Sequence, residues 1–196
     1  MKKTLIVGML GVLLGGVAGA GAQAQTPDTA VVKPTSIKIG AFFPSNGTVK
    51  SATHNTWFRA GIDYAFAKTT STNPLLTSGY VDYAGSSGNG NNASLIGIGV
   101  AARDYFTTAA TGANAVGSGT SVNPYAGAGI GVYIAHGSGS GSSVTSTQLG
   151  GKVFLGAELN TGPFIEVGYD IVPKSFSVAG SSIRADGFDA SVGYRF

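Results

Sequence analysis

His136 and Ser138 have the residue types and spacing that nucleophilic hydrolysis requires. They lie at positions i and i+2 in the segment IAHGSGSGS, so both would project from one face of an extended strand. A serine hydroxyl becomes a nucleophile when an imidazole takes its proton and an acid orients that imidazole. The next acid along the chain is Glu158, which falls on the opposite face and at the far end of its predicted strand. We therefore predict that the protein is not an enzyme, with hydrolysis kept as an alternative.

Charged residues form the second constellation with chemical potential, because they fall on one face of the predicted strands, together with Gly and Ala. Five are basic and six are acidic. A charge removed from water must be paired, so this near balance favours a closed, polar interior over ordinary solvated strand residues. The predicted lumen charge network consists of Lys38, Arg59, Asp63, Asp82, Arg103, Lys152, Glu158, Glu166, Asp170, Asp189 and Arg195.

The elements that position these residues are runs in which apolar residues alternate with glycine or charged residues, a pattern that predicts β-strands. We find eight such runs, most of them near the ~9–11 residues that a tilted transmembrane strand needs. The runs cover 36–44, 57–66, 79–85, 94–106, 123–136, 148–159, 163–172 and a last run to 196 that enters near 183.

The composition indicates where the apolar face of these strands points. Charged residues make up only 11% of the chain, against about a quarter in typical soluble domains. A surface that faces lipid needs few charges, and in hydrocarbon only helices and closed barrels pair every backbone group. Residues 36–196 are therefore predicted to form an all-β, eight-stranded antiparallel up-and-down transmembrane β-barrel. A soluble secreted β-protein is the alternative.

The amino-terminal segment predicts export. Lys2 and Lys3 precede an apolar run and the small-residue motif Ala22-Gln23-Ala24, which is typical of a secretory signal peptide. We assign residues 1–24 to this signal peptide, with a transmembrane anchor as the alternative, and 25–35 to a flexible periplasmic lead-in. The chain contains no Cys, which excludes thiol chemistry and Cys-ligated metals. No cofactor or metal is expected.

The predicted barrel has defined ends. An even strand number places both termini on the periplasmic side, which makes 45–56, 86–93, 137–147 and about 173–182 the outward loops and 67–78, 107–123 and 160–162 the inward turns. Aromatic residues near the strand ends predict two interfacial girdles. The inner girdle would contain Tyr64, Phe66, Tyr105, Tyr125, Phe164, Tyr194 and Phe196, and the outer girdle Phe43, Trp57, Tyr133 and Tyr169.

The last segment, FDASVGYRF, carries a resemblance to a known family. Its alternating residues Phe188, Val192, Tyr194 and Phe196 resemble the carboxy-terminal signature of bacterial outer-membrane β-barrel proteins. The segment GGKVFLGAELNTGPFIEVGYDIV is similar to the penultimate hairpin of small OmpX/OmpA-type barrels. The resemblance implies outer-membrane location, lipid contact and recognition of the last strand by the barrel-assembly machinery. No peptidoglycan-binding domain follows in the sequence, so a cell-wall tether is not expected.

The expected function is a structural and surface-interaction role for a monomeric barrel with a side-chain-filled lumen and four polar extracellular loops. These loops would contact a surface ligand that the sequence does not identify. The small excess of basic residues that remains without Lys2 and Lys3 gives no reason to expect nucleic-acid binding. Two alternatives stay open. One is a narrow pore for ions or small solutes; the other is a lipid A-modifying hydrolase, because His136-x-Ser138 resembles an element of outer-membrane lipid A deacylases, which are also eight-stranded barrels.

Overall fold

The structure is a computed structural model that describes residues 33–68, 75–88, 90–106, 122–139, 141–172, 176–178 and 181–196. The predicted signal peptide and most of the predicted lead-in lie outside these residues. Within them the chain forms ten strands and one short helix. In chain order these are β1 (Thr35–Pro44), α1 (Gly47–Ala52), β2 (Trp57–Lys68), β3 (Leu75–Gly88), β4 (Asn91–Tyr105), β5 (Val122–Gly139), β6 (Ser142–Leu159), β7 (Pro163–Ile171), β8 (Phe176–Val178), β9 (Ser181–Ile183) and β10 (Gly187–Arg195).

Eight of the strands close into a barrel in which every neighbouring pair is antiparallel. The order around the wall is β1-β10-β7-β6-β5-β4-β3-β2, and β8 and β9 form a separate two-stranded hairpin in the connection between β7 and β10. The first and last wall strands meet, with Ile39 opposite Val192 and Phe43 opposite Phe188. The predicted eight-stranded antiparallel up-and-down barrel is confirmed.

None of the helices in the described parts of the chain is long and apolar enough to cross a membrane.

The two faces of the wall differ as the alternation predicts. The outer face carries exposed Ile, Val, Leu, Phe and Tyr side chains, whereas the inner face carries charges, glycines and large rings. Glycine is required where a ring from the next strand lies over it. A methyl group at Gly127 would lie 2.2 Å from Cζ of Phe154, and one at Gly156 would lie 2.3 Å from Cζ of Tyr125. The interior is thus filled by rings that occupy the space of absent side chains.

Five of the predicted girdle aromatics have a different location. Trp57, Tyr125, Tyr133 and Phe164 are buried inside the barrel, and Tyr105 packs against the same interior, so none of them belongs to the inner or the outer girdle. The reason is strand parity, because each of them lies on the same face of its strand as the charged residues or the glycines. The alternation of the sequence already placed these rings on the inner face, but the prediction assigned them to the girdles because they lie near strand ends.

The two ends of the barrel differ in structure. We call the end with α1 and the turns at Gly90 and Gly141 the loop end, and the end with Thr35 and Phe196 the termini end. At the loop end, helix α1 begins after Asn46, whose side chain accepts hydrogen bonds from the backbone N–H groups of Thr48 and Val49 at 2.9 and 3.3 Å. This is a standard N-cap, and the helix occupies half of the predicted loop 45–56.

Two other predicted loops, 86–93 and 137–147, are wrong because most of their residues belong to strands. Ladder pairing continues from Ser86 opposite Ala93 to the turn at Gly90, and from Gly137 opposite Val144 to the turn at Gly141. Both glycines have positive φ, 74° and 80°, which tight hairpin turns require. The Gly, Ser and Thr residues that indicated loops can pair their backbones in a strand without forming an apolar face.

Strand boundaries also differ elsewhere. β3 begins at Leu75, earlier than the predicted 79, and the last wall strand begins at Gly187 because the chain near 183 belongs to β9. The long strand β6 extends beyond its neighbour β7 at the loop end. Pairing of β6 with β7 stops at Gly151 opposite Ile171, so the segment Ser142–Gly150 has a ladder partner only on its β5 side within the described residues. We call this segment the free β6 edge.

Candidate functional site

The structure places all the residues of the predicted lumen charge network inside the barrel wall. Each of them is buried, from Arg59 with 1% of its surface exposed to Glu158 with 9%. Every strand of the wall except β5 contributes at least one of these side chains, because the period of two that points apolar residues outward points the alternate residues inward. The charges therefore meet across the interior and have little access to solvent.

Arg59 is the central cation of this network. Its guanidinium nitrogens bond to Asp170 and, at 3.1 Å, to Asp82, and its Nε lies 3.6 Å from Asp189. Among the described residues, Asp170 and Asp189 each have one ion-pair partner, and for both of them it is Arg59. One side chain on β2 thus joins β3, β7 and β10.

Asp82 is the central anion. Its Oδ2 accepts hydrogen bonds from Arg59 at 3.1 Å and from Lys152 at 3.0 Å, and its Oδ1 forms an ion pair with Nζ of Lys38 at 3.3 Å. Lys38 continues the network to Glu166, with Nζ–Oε1 at 3.0 Å. A chain of buried ion pairs therefore crosses the barrel from β6 through β3 and β1 to β7.

Towards the termini end, Arg103 lies 3.3 Å from Glu166 and 3.8 Å from Asp63. Its guanidinium also stacks 4.5 Å from the ring centre of Tyr125, which is a cation–π contact between two buried side chains. The last pair is Arg195 with Glu158 at 3.1 Å.

Tyrosine hydroxyls complete the network, and sequence reasoning did not place them there. Tyr133 donates to Asp170 at 3.2 Å, Tyr125 to Glu166 at 3.1 Å and Tyr105 to Glu158 at 2.7 Å. Tyr80 lies under Lys152, with Nζ 3.8 Å from the ring centre. A buried carboxylate holds more hydrogen bonds than one cation supplies, so these hydroxyls stabilise acids that ion pairing alone would leave partly unsatisfied.

His136 and Ser138 lie on the opposite side of the wall from this network. Nδ1 of His136 is 2.9 Å from Oγ1 of Thr145, the residue directly opposite it in the ladder, and Ser138 is opposite Ser143. Glu158 is bonded to Arg195 and Tyr105 near the termini end. The described residues thus give His136 a hydroxyl partner where a hydrolytic triad would place an acid. They also contain no cluster of three or more His, Cys, Asp or Glu side chains that could hold a metal ion.

The residues of the predicted assembly signal lie on the outer face of the last strand. Phe188, Val192, Tyr194 and Phe196 are all exposed. The backbone of Phe196 pairs with Thr35 through two hydrogen bonds, 2.8 and 3.1 Å long, so the strand pairs with β1 up to the last residue. Recognition of these side chains by an assembly machinery stays a prediction.

Comparison with solved structures shows what the fold is similar to. Neisserial surface protein A (NspA) superposes with a TM-score of 0.59 and 15% identity, over 82% of this chain and 94% of that chain. The outer-membrane enzyme PagL superposes with a TM-score of 0.53 and 17% identity, over 82% of this chain and 98% of that one. No protein-family model matches the sequence, and no curated protein sequence matches it. At these identities the likeness concerns the fold, which is that of small eight-stranded barrels.

Proposed function

We propose that the protein is a bacterial outer-membrane β-barrel with a structural and surface-interaction role and a side-chain-filled lumen. The support for the membrane location comes first from the outer wall. Ile165, Val167 and Phe188 expose 61%, 55% and 62% of their surfaces and belong to a continuous apolar belt. Soluble proteins rarely expose apolar areas of that extent. A closed ladder with an apolar exterior meets the requirement that hydrocarbon imposes on a spanning chain.

The structural role is supported mainly by the filled interior of the barrel. Arg59, Asp82 and Lys38 join opposite walls through ion pairs of 3.0–3.6 Å, and tyrosine rings lie over the interior glycines. An eight-stranded barrel is only wide enough to be filled by its own side chains. This filling supports a closed barrel and argues against a pore.

The surface-interaction role is supported by the loop end. The free β6 edge has the sequence SSVTSTQLG, which contains no charged residue and no proline, although proteins usually place such residues on open edges to block unwanted pairing. Among the described residues this edge has no strand partner and no charge, which is the feature that strand-addition recognition uses. We infer that the surface ligand is an extended polypeptide segment.

Two measurements on the protein refolded in lipid test this proposal. A closed barrel should migrate differently in SDS gels before and after boiling, and it should insert into planar bilayers without steady conductance. A pore-forming barrel measured in the same bilayers controls for sensitivity. Stable single-channel steps would favour the narrow-pore alternative, and fractionation of the cellular protein without detergent would contradict the membrane location.

The second candidate is a lipid A-modifying hydrolase. Its support is the fold likeness to PagL, described as an outer-membrane enzyme, together with His136 and Ser138 on one face of β5. Thr145 in place of an acid argues against it. Lipid A from cells that express the Ser138→Ala variant should be the same as lipid A from cells that express the wild type. A modification present only with the wild type would favour the hydrolase.

A further inference from the structure

A cavity of about 300 Å³ lies inside the barrel at the loop end, between the interior charge network and helix α1. Phe42, Val49 and Trp57 line one side, and Leu95 and Ala135 line the other. These five residues belong to one buried apolar cluster. The volume is at the lower end of the range found for small-molecule sites, which are typically apolar with a few polar groups.

The cavity exists because β5 carries small residues where it lines the loop end. A methyl group at Gly137 would meet no atom within 4 Å. Deeper in the barrel the opposite holds, since the β5 position Gly127 is covered by the ring of Phe154. The same strand therefore uses glycine in two ways, to admit a packed ring near the termini end and to leave space near the loop end.

The cavity lining also includes polar groups. Thr53, Asn91 and Ser142 contribute to the lining, and Arg184 brings a guanidinium to it. The Arg184 side chain is 50% exposed and pairs with Asp186 at 3.2 Å, so it keeps access to solvent and donors for a second anion.

We propose that this cavity binds a free single-chain amphiphile of the medium-chain fatty acid class. The apolar chain lies between Trp57 and Leu95, where burial removes it from water. The carboxylate lies at the rim beside Arg184, because an unpaired carboxylate would be costly on the apolar floor. The small volume favours one chain over the several chains of a membrane lipid. This binding goes beyond the structural and surface-interaction role proposed above.

Trp57 provides a direct test because it is the only tryptophan of the chain and lines the cavity. The full protein is placed in nanodiscs and titrated with a medium-chain fatty acid that carries a terminal bromine, which quenches tryptophan fluorescence at short range. We expect saturable quenching with the wild type. Gly137→Leu, which fills the cavity without a clash at Cβ, should abolish the saturable component. Gly79→Leu is the matched control, because this glycine lies on the outer-face parity of β3 and its Cβ would meet no atom closer than 3.9 Å.

Two further arms distinguish the occupant and its orientation. Nanodiscs made with bromine-labelled phospholipid test for a membrane lipid chain, and saturating quenching there, removed by Gly137→Leu, would overturn the proposal of a free amphiphile. Arg184→Gln should weaken binding of the bromo fatty acid by about two- to fivefold, the value of an exposed ion pair, and leave the matching bromo alcohol unaffected. Equal, non-saturating quenching in wild type, Gly137→Leu and Gly79→Leu would refute the site. Unchanged fatty acid affinity in Arg184→Gln would refute the placement of the carboxylate. Heat-dependent gel mobility verifies that each variant is folded.

Discussion

Replacing Arg59 with methionine should destabilise the barrel by about 3–5 kcal/mol, the cost of removing one partner from a buried ion pair. Methionine fills much of the volume of the arginine stem but supplies no charge. Asp82 would keep Lys38 and Lys152 at 3.3 and 3.0 Å. The described residues offer Asp170 and Asp189 no other cation. The cost therefore comes from two carboxylates left buried without an ion-pair partner.

The assay is reversible urea unfolding of the barrel in phospholipid vesicles, followed by the mobility shift in cold SDS gels. Arg184→Met is the matched control, since it makes the same substitution at an arginine that is half exposed and has one partner at 3.2 Å. An exposed pair of this kind contributes about 0–1 kcal/mol. The difference between the two variants then isolates the effect of burial.

A double variant tests the assigned cause. In Arg59→Met with Asp170→Asn, one of the two unpaired carboxylates is gone, so the loss of stability should be smaller than the sum of the two single losses, with a coupling of about 1–3 kcal/mol. Additive losses, or a loss below about 1 kcal/mol for Arg59→Met alone, would refute the view that the network is held by paired, desolvated charges.

Three further outcomes are expected. Gly156→Val should cost about 1–3 kcal/mol by overpacking, since a methyl group there would lie 2.3 Å from Cζ of Tyr125, while Gly79→Val on the outer-face parity should change urea stability little; equal effects would contradict ring-over-glycine packing. Phe196→Asp should reduce the heat-modifiable protein in the outer membrane of cells yet refold in vitro like the wild type, and unchanged cellular levels would refute the assembly signal. Asn46→Ala should remove an N-cap that contributes about 1 kcal/mol and speed amide exchange in α1 alone, whereas protection equal to wild type would show that packing holds the helix.

The sequence predicted the parts of the fold that follow from a period of two. On β1, β2 and β3, for example, one face carried Lys38, Arg59 and Asp82 and the other carried large apolar residues, so closure into a barrel with charges inside follows from alternation and the pairing rule for buried charges. The same alternation also indicates that Tyr133 points inward, because it lies on the face of β5 that carries the glycines.

Other features needed information that alternation does not contain. The strands at 137–147 have no apolar alternation, and their pairing depends on the hairpin turn at Gly141 and on the neighbouring strand. Helix α1 is too short for a periodic pattern, and only its cap, Asn46, could have indicated it. The cavity depends on residues from β1, α1, β2, β4 and β5 meeting in space, and no segment of sequence records that meeting.

The ion pairs across the meeting point of β1 and β10 have a consequence for how the barrel closes. Near that junction, β1 and β2 bring the cations Lys38 and Arg59, while β7 and β10 bring Glu166, Asp170 and Asp189. The partners in these pairs are far apart in sequence, and the pairs across the junction form only when the two ends of the sheet approach each other. Opposite charges then attract the closing edges over a longer range than backbone hydrogen bonds do. Opening the closed junction would break several buried ion pairs at once and leave their charges unpaired. Charge attraction therefore assists closure of the barrel, and the loss of these pairs opposes its opening.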